Sequence, residues 1–577
     1  MLERSSGSIR ARVTFVCFLA LSHVALGQER PNAQIGQAQT AVGRNGMVVA
    51  QEALAARVGV NILKKGGNAV DAAVAVGFAM AVTYPRAGNI GGGGFMVIHL
   101  RNGRNVAIDY REMAPHAITN KSFLDAQGNA DPQKSRFSAL AIGVPGTVAG
   151  FALAERKYGS GRFSLAQLMA PAIALARDGF PVTDQTIDRP ETEPSRLLRW
   201  PSSAKIFFKT DGKAFRPGDR LVQKDLARSL QAIARRGPRA FYRGPLARKI
   251  AAAVRQASGV MTASDLKKYR AIERKPLRGT YRGYDIVSMP PPSSGGVELI
   301  EMLNILEGYD LAHDDQTQAL FLMIEAMKRA YADRALFLGD PDKVKAPVAR
   351  LISKKYAATW RATIDPAHAT PASAIRAGGT VMAEGPNTTH FSVVDRFGNA
   401  VSNTYTLNFS YGVGLVAEGT GILLNNELDD FAAKPDAPNA YGLVGFTANA
   451  PGPGKRPLSS MTPSIVLKGG KPFLITGSPG GSRITTAVLQ VIVNVLDRRM
   501  SIAAAVSAPR VHNQWVPDQV YAEPGVPDEV IAALQVRGDK VVAQRPFSSA
   551  NSIMTAPDGS FIGAADPRTH DGLAAGY

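Results

Sequence analysis

The chain has 577 residues, with 67 Lys or Arg against 47 Asp or Glu and a formal net charge of +20. Hydrophobic residues make up 45% and aromatics 7%. That is enough apolar mass for a large core, but not the concentrated basic, aromatic-interleaved patch that a nucleic-acid face needs. The basic residues are scattered, and the densest group is Arg235-Arg236-Gly237-Pro238-Arg239. They read as a solvated surface with a modest pull on anionic substrates or envelope lipids.

Residues 1–27 read as a signal peptide. Arg4, Arg10 and Arg12 form a basic start, Val13 to Leu26 is mostly apolar, and Ala25-Leu26-Gly27 has the small residues of a cleavage site. The apolar run is too short for a typical membrane span. Removal before Gln28 predicts an exported chain of about 550 residues with no integral membrane segment. The single cysteine, Cys17, falls inside this leader. The mature chain then has no thiol for a disulfide, a thiolate metal site or a Cys nucleophile. No histidine pair has metal-ligand spacing, so a zinc enzyme is not expected.

Gly46–Ala50 predicts a strand, and Glu52 to Leu63 an amphipathic helix ended by Gly66-Gly67. Asn68 caps a second helix running to about Val82, alanine-rich and apolar nearly all round, hence buried. Phe95–Leu100 and Asn105–Asp109 form a hairpin through Asn102-Gly103. Helical patterns follow near Phe163–Asp178, Leu226–Arg235 and Thr317–Leu338. His368 to Asn387 is small, aperiodic and Gly/Pro-punctuated, as a loop should be. Phe391–Asp395 and Ala400–Leu407 then predict a hairpin, Ser464–Lys468 and Pro472–Gly477 another, and Ile484–Leu496 a helix behind it. Ala433 to Pro457 is a long loop, of the kind that is usually functional or disordered. Hairpin strands with layered buried helices argue an α+β sandwich.

Four places carry chemistry. Thr388, at the junction of loop and strand, becomes a nucleophile if the Asn387–Thr388 bond is cut, because its own α-amine then serves as base. The amine titrates near about 7.7–8.0, so much of it accepts a proton close to physiological pH. Gly477-Ser478-Pro479-Gly480-Gly481-Ser482-Arg483 turns from a strand into a helix and offers backbone donors to an oxyanion. Arg111, after the strand ending at Asp109, has the fork to hold a carboxylate, and Ser459-Ser460 offer hydroxyls. Asn425-Asn426-Glu427-Leu428-Asp429-Asp430 leaves three readings open: an ammonium site, a cation site such as calcium, or a solvated acidic face.

Taken in order, these motifs resemble the γ-glutamyltranspeptidases (γ-glutamyltransferases), N-terminal-nucleophile hydrolases that mature by self-cleavage. The resemblance rests on Gly66–Ala73, Gly91–Phe95, Asp109–Glu112, Thr388–Asp395, Thr406-Leu407-Asn408, Leu424–Phe431, Arg456–Met461 and Gly477–Arg483, and covers nearly the whole mature chain. It implies a four-layer αββα sandwich shared by a large chain, 28–387, and a small one, 388–577, which form a heterodimer. It makes Thr388 the nucleophile, Thr406 its hydrogen-bond partner, and Gly480 and Gly481 the oxyanion hole. Arg111, Ser459 and Ser460 would hold the substrate α-carboxylate; Asn408, Glu427 and Asp430 would surround its α-amino group. Tyr441 would belong to a lid. Some bacterial relatives carry Gln where this chain has Glu427. Glutathione is the expected donor, water or an amino acid or dipeptide amine the acceptor, and no metal or organic cofactor is implied. The location implied is periplasmic, with secretion to the outside as the alternative. Two alternative functions stand beside this one: a cephalosporin (glutaryl) acylase on the same scaffold, and a cleavage-dead envelope binding protein.

Overall fold

Antiparallel pairing organises the centre of the molecule, seen in a computed structural model that describes residues 35–186, 195–375 and 388–577. The leader with Cys17, and the cleavage-site residue Asn387, lie outside the described residues. One seven-stranded sheet runs Leu573–Gly576, Gly46–Ala50, Thr389–Asp395, Ala400–Thr406, Gly93–His99, Asn105–Asp109 and Ile272–Arg274. The other runs Gln39–Gly43, Phe561–Ala565, Ser552–Thr555, Lys471–Thr476, Ser464–Lys468, Tyr284–Ser288 and Leu277–Tyr281. Neighbouring strands in both are antiparallel.

Alternation along each strand builds the layers. Met47, Val49, Phe95, Val97 and Val394 point from the first sheet into a core shared with Val287, Ile465, Leu467, Ile475 and Ile553 of the second. Val48, Ala50, Met96 and Ile98 point the other way, into a core with helices Ala53–Lys64 and Ala69–Thr83. On the far side, Ile286, Val466 and Leu474 pack with helices Gly295–Leu306, Gln316–Phe337 and Ile484–Leu496. The order is helix, sheet, sheet, helix, as the sequence led us to expect.

The cap predicted at Asn68 holds, and Glu52, read as the first residue of its helix, is instead that helix's cap. The Glu52 carboxylate accepts from the amides of Leu54 and Ala55 at 2.8 and 2.9 Å. Asn68 and Asp71 form a reciprocal capping box, and every residue of the helix that they start is buried. One expectation changes: the segment after His368 is not all loop, since Ala372–Ile375 forms a helical turn whose Ala372 carbonyl accepts from Trp515 Nε1 at 3.0 Å. No helix among the described residues is long and apolar enough to cross a membrane.

Candidate active site

Thr388 sits where two strands of the first sheet finish together. Thr389–Asp395 starts one residue later, and its partner ends at Thr406, with Thr389 opposite Tyr405. That register lays the two threonines side by side: Thr388 Oγ1 donates to Thr406 Oγ1 at 3.3 Å. Thr406 Oγ1 also accepts from the Asn408 amide at 2.8 Å. Asn408 takes φ 73°, which Asn tolerates better than most residues. Its side-chain amide donates to the Asn426 carbonyl at 3.0 Å, fixing the short helix Glu427–Asp430 against the strand end.

Arg111 enters from the next hairpin of the same sheet. Its amide donates to the Asp109 carboxylate at 2.9 Å. Its guanidinium is fully buried: Nε donates to the Pro457 carbonyl at 3.1 Å, and the two Nη atoms pair with Glu427 and Asp430. Ser459 is held through its carbonyl, which accepts from the Ser294 amide at 2.7 Å. The Ser460 hydroxyl is buried and has no hydrogen-bond partner among the described residues.

Gly480 and Gly481 occupy the turn from Lys471–Thr476 into helix Ile484–Leu496, with φ 135° and 57°. A Cβ on Gly481 would overlap the Tyr441 ring, and one on Gly480 the Ser548 hydroxyl, so both backbone and space demand glycine. Tyr441 closes the cavity from above, its hydroxyl donating to the Asn408 carbonyl at 2.8 Å. Arg111, Thr388, Thr406, Asn408, Glu427, Asp430, Tyr441, Ser459, Ser460 and Gly481 therefore line one space of about 20 Å³, room for roughly one water. Gly480 stands one residue along the same turn.

With this geometry in hand, comparison with known proteins is decisive: the sequence profile of the family described as Gamma-glutamyltranspeptidase matches residues 55–576. The chain belongs to the γ-glutamyltranspeptidase family. It is 52% identical over 536 residues to the glutathione hydrolase proenzyme of Escherichia coli (strain K12), covering 92% of each. Among solved structures it matches a cephalosporin acylase from Bacillus halodurans with TM-score 0.82 and 30% identity, over 95% of this chain and 98% of that one. It matches a chain of Helicobacter pylori γ-glutamyltranspeptidase with TM-score 0.54 and 45% identity, over 60% of this chain and 96% of that one.

For a γ-glutamyltranspeptidase, the charge balance of the cavity is its main electrostatic feature. One guanidinium faces three carboxyls, those of Glu112 and Glu427, which are buried, and that of Asp430, which is partly buried. Burial alone would lower the pKa of Arg111, but Glu427, Asp430 and Glu112 more than offset this and hold it above its usual value. Burial raises Glu427 to about 8; Arg111 opposes the shift and Asp430 adds to it. Burial, then the charge of Glu427, push Glu112 well above the usual carboxylate range. Among the described residues, both Glu112 oxygens and Glu427 Oε2 lack a hydrogen-bond partner. Two such acids are satisfied together only when one of them keeps its proton.

Several readings needed correction or completion. The acidic stretch is not a solvated face: Glu427 and Asp429 are buried. Asp429 is taken by Ser135 at 2.6 Å and Arg136 at 3.3 Å, and among the described residues no group of acids and histidines is arranged to hold a metal ion. His390, beside the threonine pair in sequence, is a core residue. Its ring nitrogens meet the Thr404 and Ser392 hydroxyls at 2.8 and 3.1 Å, and burial drives its pKa down to about 3.

Sequence reasoning gave no role to Glu112, Asp109, Arg456 or Asn439. Asp109 joins Arg456 and Arg274, each at 2.8 Å, which fixes the segment supplying Pro457 and the two serines. Asn439 donates to Asp430 at 3.2 Å. Only the unbroken run Asp109-Tyr110-Arg111-Glu112 hinted that the neighbours of Arg111 matter.

Proposed function

We infer that this chain is a self-processing γ-glutamyltransferase and glutathione hydrolase with Thr388 as its nucleophile. In maturation, the Thr388 hydroxyl attacks the Asn387 carbonyl, the amide becomes an ester, and water hydrolyses the ester to free the Thr388 α-amine. Residues 28–387 and 388–577 then persist as two chains of one heterodimer. The leader at 1–27 supports export, with the periplasm as destination.

In turnover the α-amine takes the hydroxyl proton as Oγ1 attacks the γ-carbonyl of the donor. The oxyanion is met by backbone donors at Gly480 and Gly481. Collapse expels the amine, for glutathione a cysteinylglycine, which leaves with a proton. Water or the amine of an amino acid or dipeptide then attacks the γ-glutamyl ester. The hydrogen bond with Thr406 aligns the nucleophile throughout.

The observation that carries this reading is the sharing of one cavity by a threonine hydroxyl, a buried guanidinium and two acidic side chains, Glu427 buried and Asp430 partly so. An α-amino acid head group presents an anion and a cation on one carbon. Its carboxylate can replace the acids on Arg111, and its ammonium can take over Glu427, Asp430 and the Asn408 side chain. This exchange keeps every buried charge paired.

The likeness to a cephalosporin acylase favours one competing reading, a glutaryl acylase. A glutaryl chain lacks the α-amine and would draw Arg111 away from Glu427 and Asp430 while offering them nothing. Comparing γ-glutamyl and glutaryl anilides tests the choice. We expect kcat/KM for the γ-glutamyl compound to be higher by about a hundredfold or more; faster turnover of the glutaryl compound would reverse the assignment.

A further inference from the structure

A further well-formed cavity lies outside the site just described. It has a volume of about 430 Å³, within the ordinary range for small-molecule sites. Helix Thr147–Tyr158 lends it one face, since Ala149, Ala152, Leu153 and Arg156 are spaced i, i+3, i+4 and i+7. The short helix Arg239–Tyr242 contributes Arg239, Tyr242 and the following Arg243, and the segment at 269–271 contributes Tyr269 and Arg270.

Its floor is rigid. Tyr242 and Tyr269 are buried and stacked, with ring centroids 5.6 Å apart and planes inclined by 10°. The Tyr242 hydroxyl donates to the Pro145 carbonyl at 2.9 Å, and that of Tyr269 to the Arg111 carbonyl at 2.8 Å.

The rim is cationic. Arg156, Arg239, Arg243 and Arg270 are exposed and line this one cavity, and no carboxylate lines it. Arg270 donates only to the main-chain carbonyls of Lys267 and Tyr269, at 2.9 and 2.6 Å. None of the four takes part in an ion pair among the described residues. The nearby Glu273 is already engaged by Arg104 and Lys157, each at 2.7 Å. Like charges gathered round a concave, partly apolar wall raise the local potential and concentrate anions. Guanidinium forks match phosphate oxygens two at a time.

We propose that this cavity is a second binding site, separate from the catalytic one, for a phosphate-bearing anion. Arg239 and Arg243 supply the principal forks and the tyrosine floor sets the depth. The same chemistry is offered by a free phosphate compound and by the head group of an anionic phospholipid.

The test uses the full-length purified protein at about 150 mM salt, where diffuse surface attraction is screened. One arm titrates pyrophosphate by calorimetry, with inorganic phosphate for comparison. The other measures co-sedimentation with phosphatidylcholine vesicles, with and without phosphatidylglycerol. Both arms are repeated on Arg239→Gln/Arg243→Gln, and on Arg239→Lys/Arg243→Lys, which keeps the charge and removes the forks.

The expected result is saturable one-to-one binding of pyrophosphate, weakened about tenfold or more in the Gln variant and by an intermediate factor in the Lys variant. Hydrolysis of a γ-glutamyl anilide should be unchanged. Binding confined to phosphatidylglycerol vesicles and lost in the Gln variant would assign the site to a lipid head group. Absence of saturable binding in both arms, or binding that the Gln variant retains, overturns the proposal. Should the double variant fail to fold, Arg156→Gln on the opposite wall gives the same reading. Both arms read binding, so their outcome is independent of the catalytic assignment.

Discussion

Glu427 makes the chemistry of the cavity depend on pH. In the unfolded chain its carboxyl titrates near the ordinary 4.5, whereas in the folded protein burial raises it to about 8. Between these values the native state binds the extra proton, so stability falls as pH rises through the window. Glu112 adds to the same slope, because it too is raised. Glu427→Gln removes one of the two acids and gives Glu112 an amide donor. Its thermal midpoint should therefore fall less than that of the wild type between pH 5 and 8. Parallel midpoint-versus-pH curves would show that Glu427 is ionised in the folded state. At this scale the sequence exposed the charged groups but not their arithmetic. Arg111, Glu427 and Asp430 stood out by type and context. That one guanidinium must serve three carboxyls is a property of the fold, which brings Glu427 to Arg111 across 316 positions of sequence.

The turn from strand Lys471–Thr476 into helix Ile484–Leu496 shows how an element can be both legible and constrained. Its glycines announced a close approach of backbone to ligand. What they approach on the other side, Tyr441 and Ser548, lies on segments that carry no periodic signal. Gly481→Ala should fail twice: its φ of 57° costs a non-glycine residue about 1–2 kcal/mol, and its Cβ displaces the Tyr441 ring. The backbone donors proposed for the oxyanion then shift, and loss of one such donor lowers kcat by about 10²–10³. We expect a fall of about a hundredfold in kcat for a γ-glutamyl anilide, with a smaller change in KM. A variant with wild-type kcat would place the oxyanion elsewhere. Among helices, Ala69–Thr83 could be read from its cap and composition. Gly295–Leu306 was missed because it is buried on every side, the polar residues Glu298, Glu301 and Asn304 included, so polarity there does not mark a solvent face.

At the scale of the whole molecule, the bond proposed for cleavage falls between residues whose pieces cannot part. Thr389–Asp395 pairs with Gly46–Ala50, and Ala400–Thr406 with Gly93–His99. In the other sheet Ser464–Lys468 pairs with Tyr284–Ser288, and Phe561–Ala565 with Gln39–Gly43. Each sheet is thus built from both sides of position 388, and separating the pieces would break both sheets and the core between them. After cleavage the two chains should elute together from a sizing column in native buffer and separate only in denaturant. Separate native elution would contradict the shared-sheet architecture. Three of the hairpins in these sheets, at 93–109, 389–406 and 464–476, were visible in the sequence as strand-like runs joined by turn residues, whereas those at 277–288 and 552–565 were not. The pairing of strands hundreds of residues apart was not, because nothing local encodes a partner at that distance.

Thr388 can use its own α-amine as base only after it has become a chain terminus. Intact mass of the wild-type protein and of Thr388→Ala under denaturing conditions tests whether it does. We expect two wild-type fragments, the smaller starting at Thr388, and a single uncut, inactive Thr388→Ala chain. A wild type that stays whole while active, or a Thr388→Ala protein that still splits at this bond, would contradict this role for Thr388.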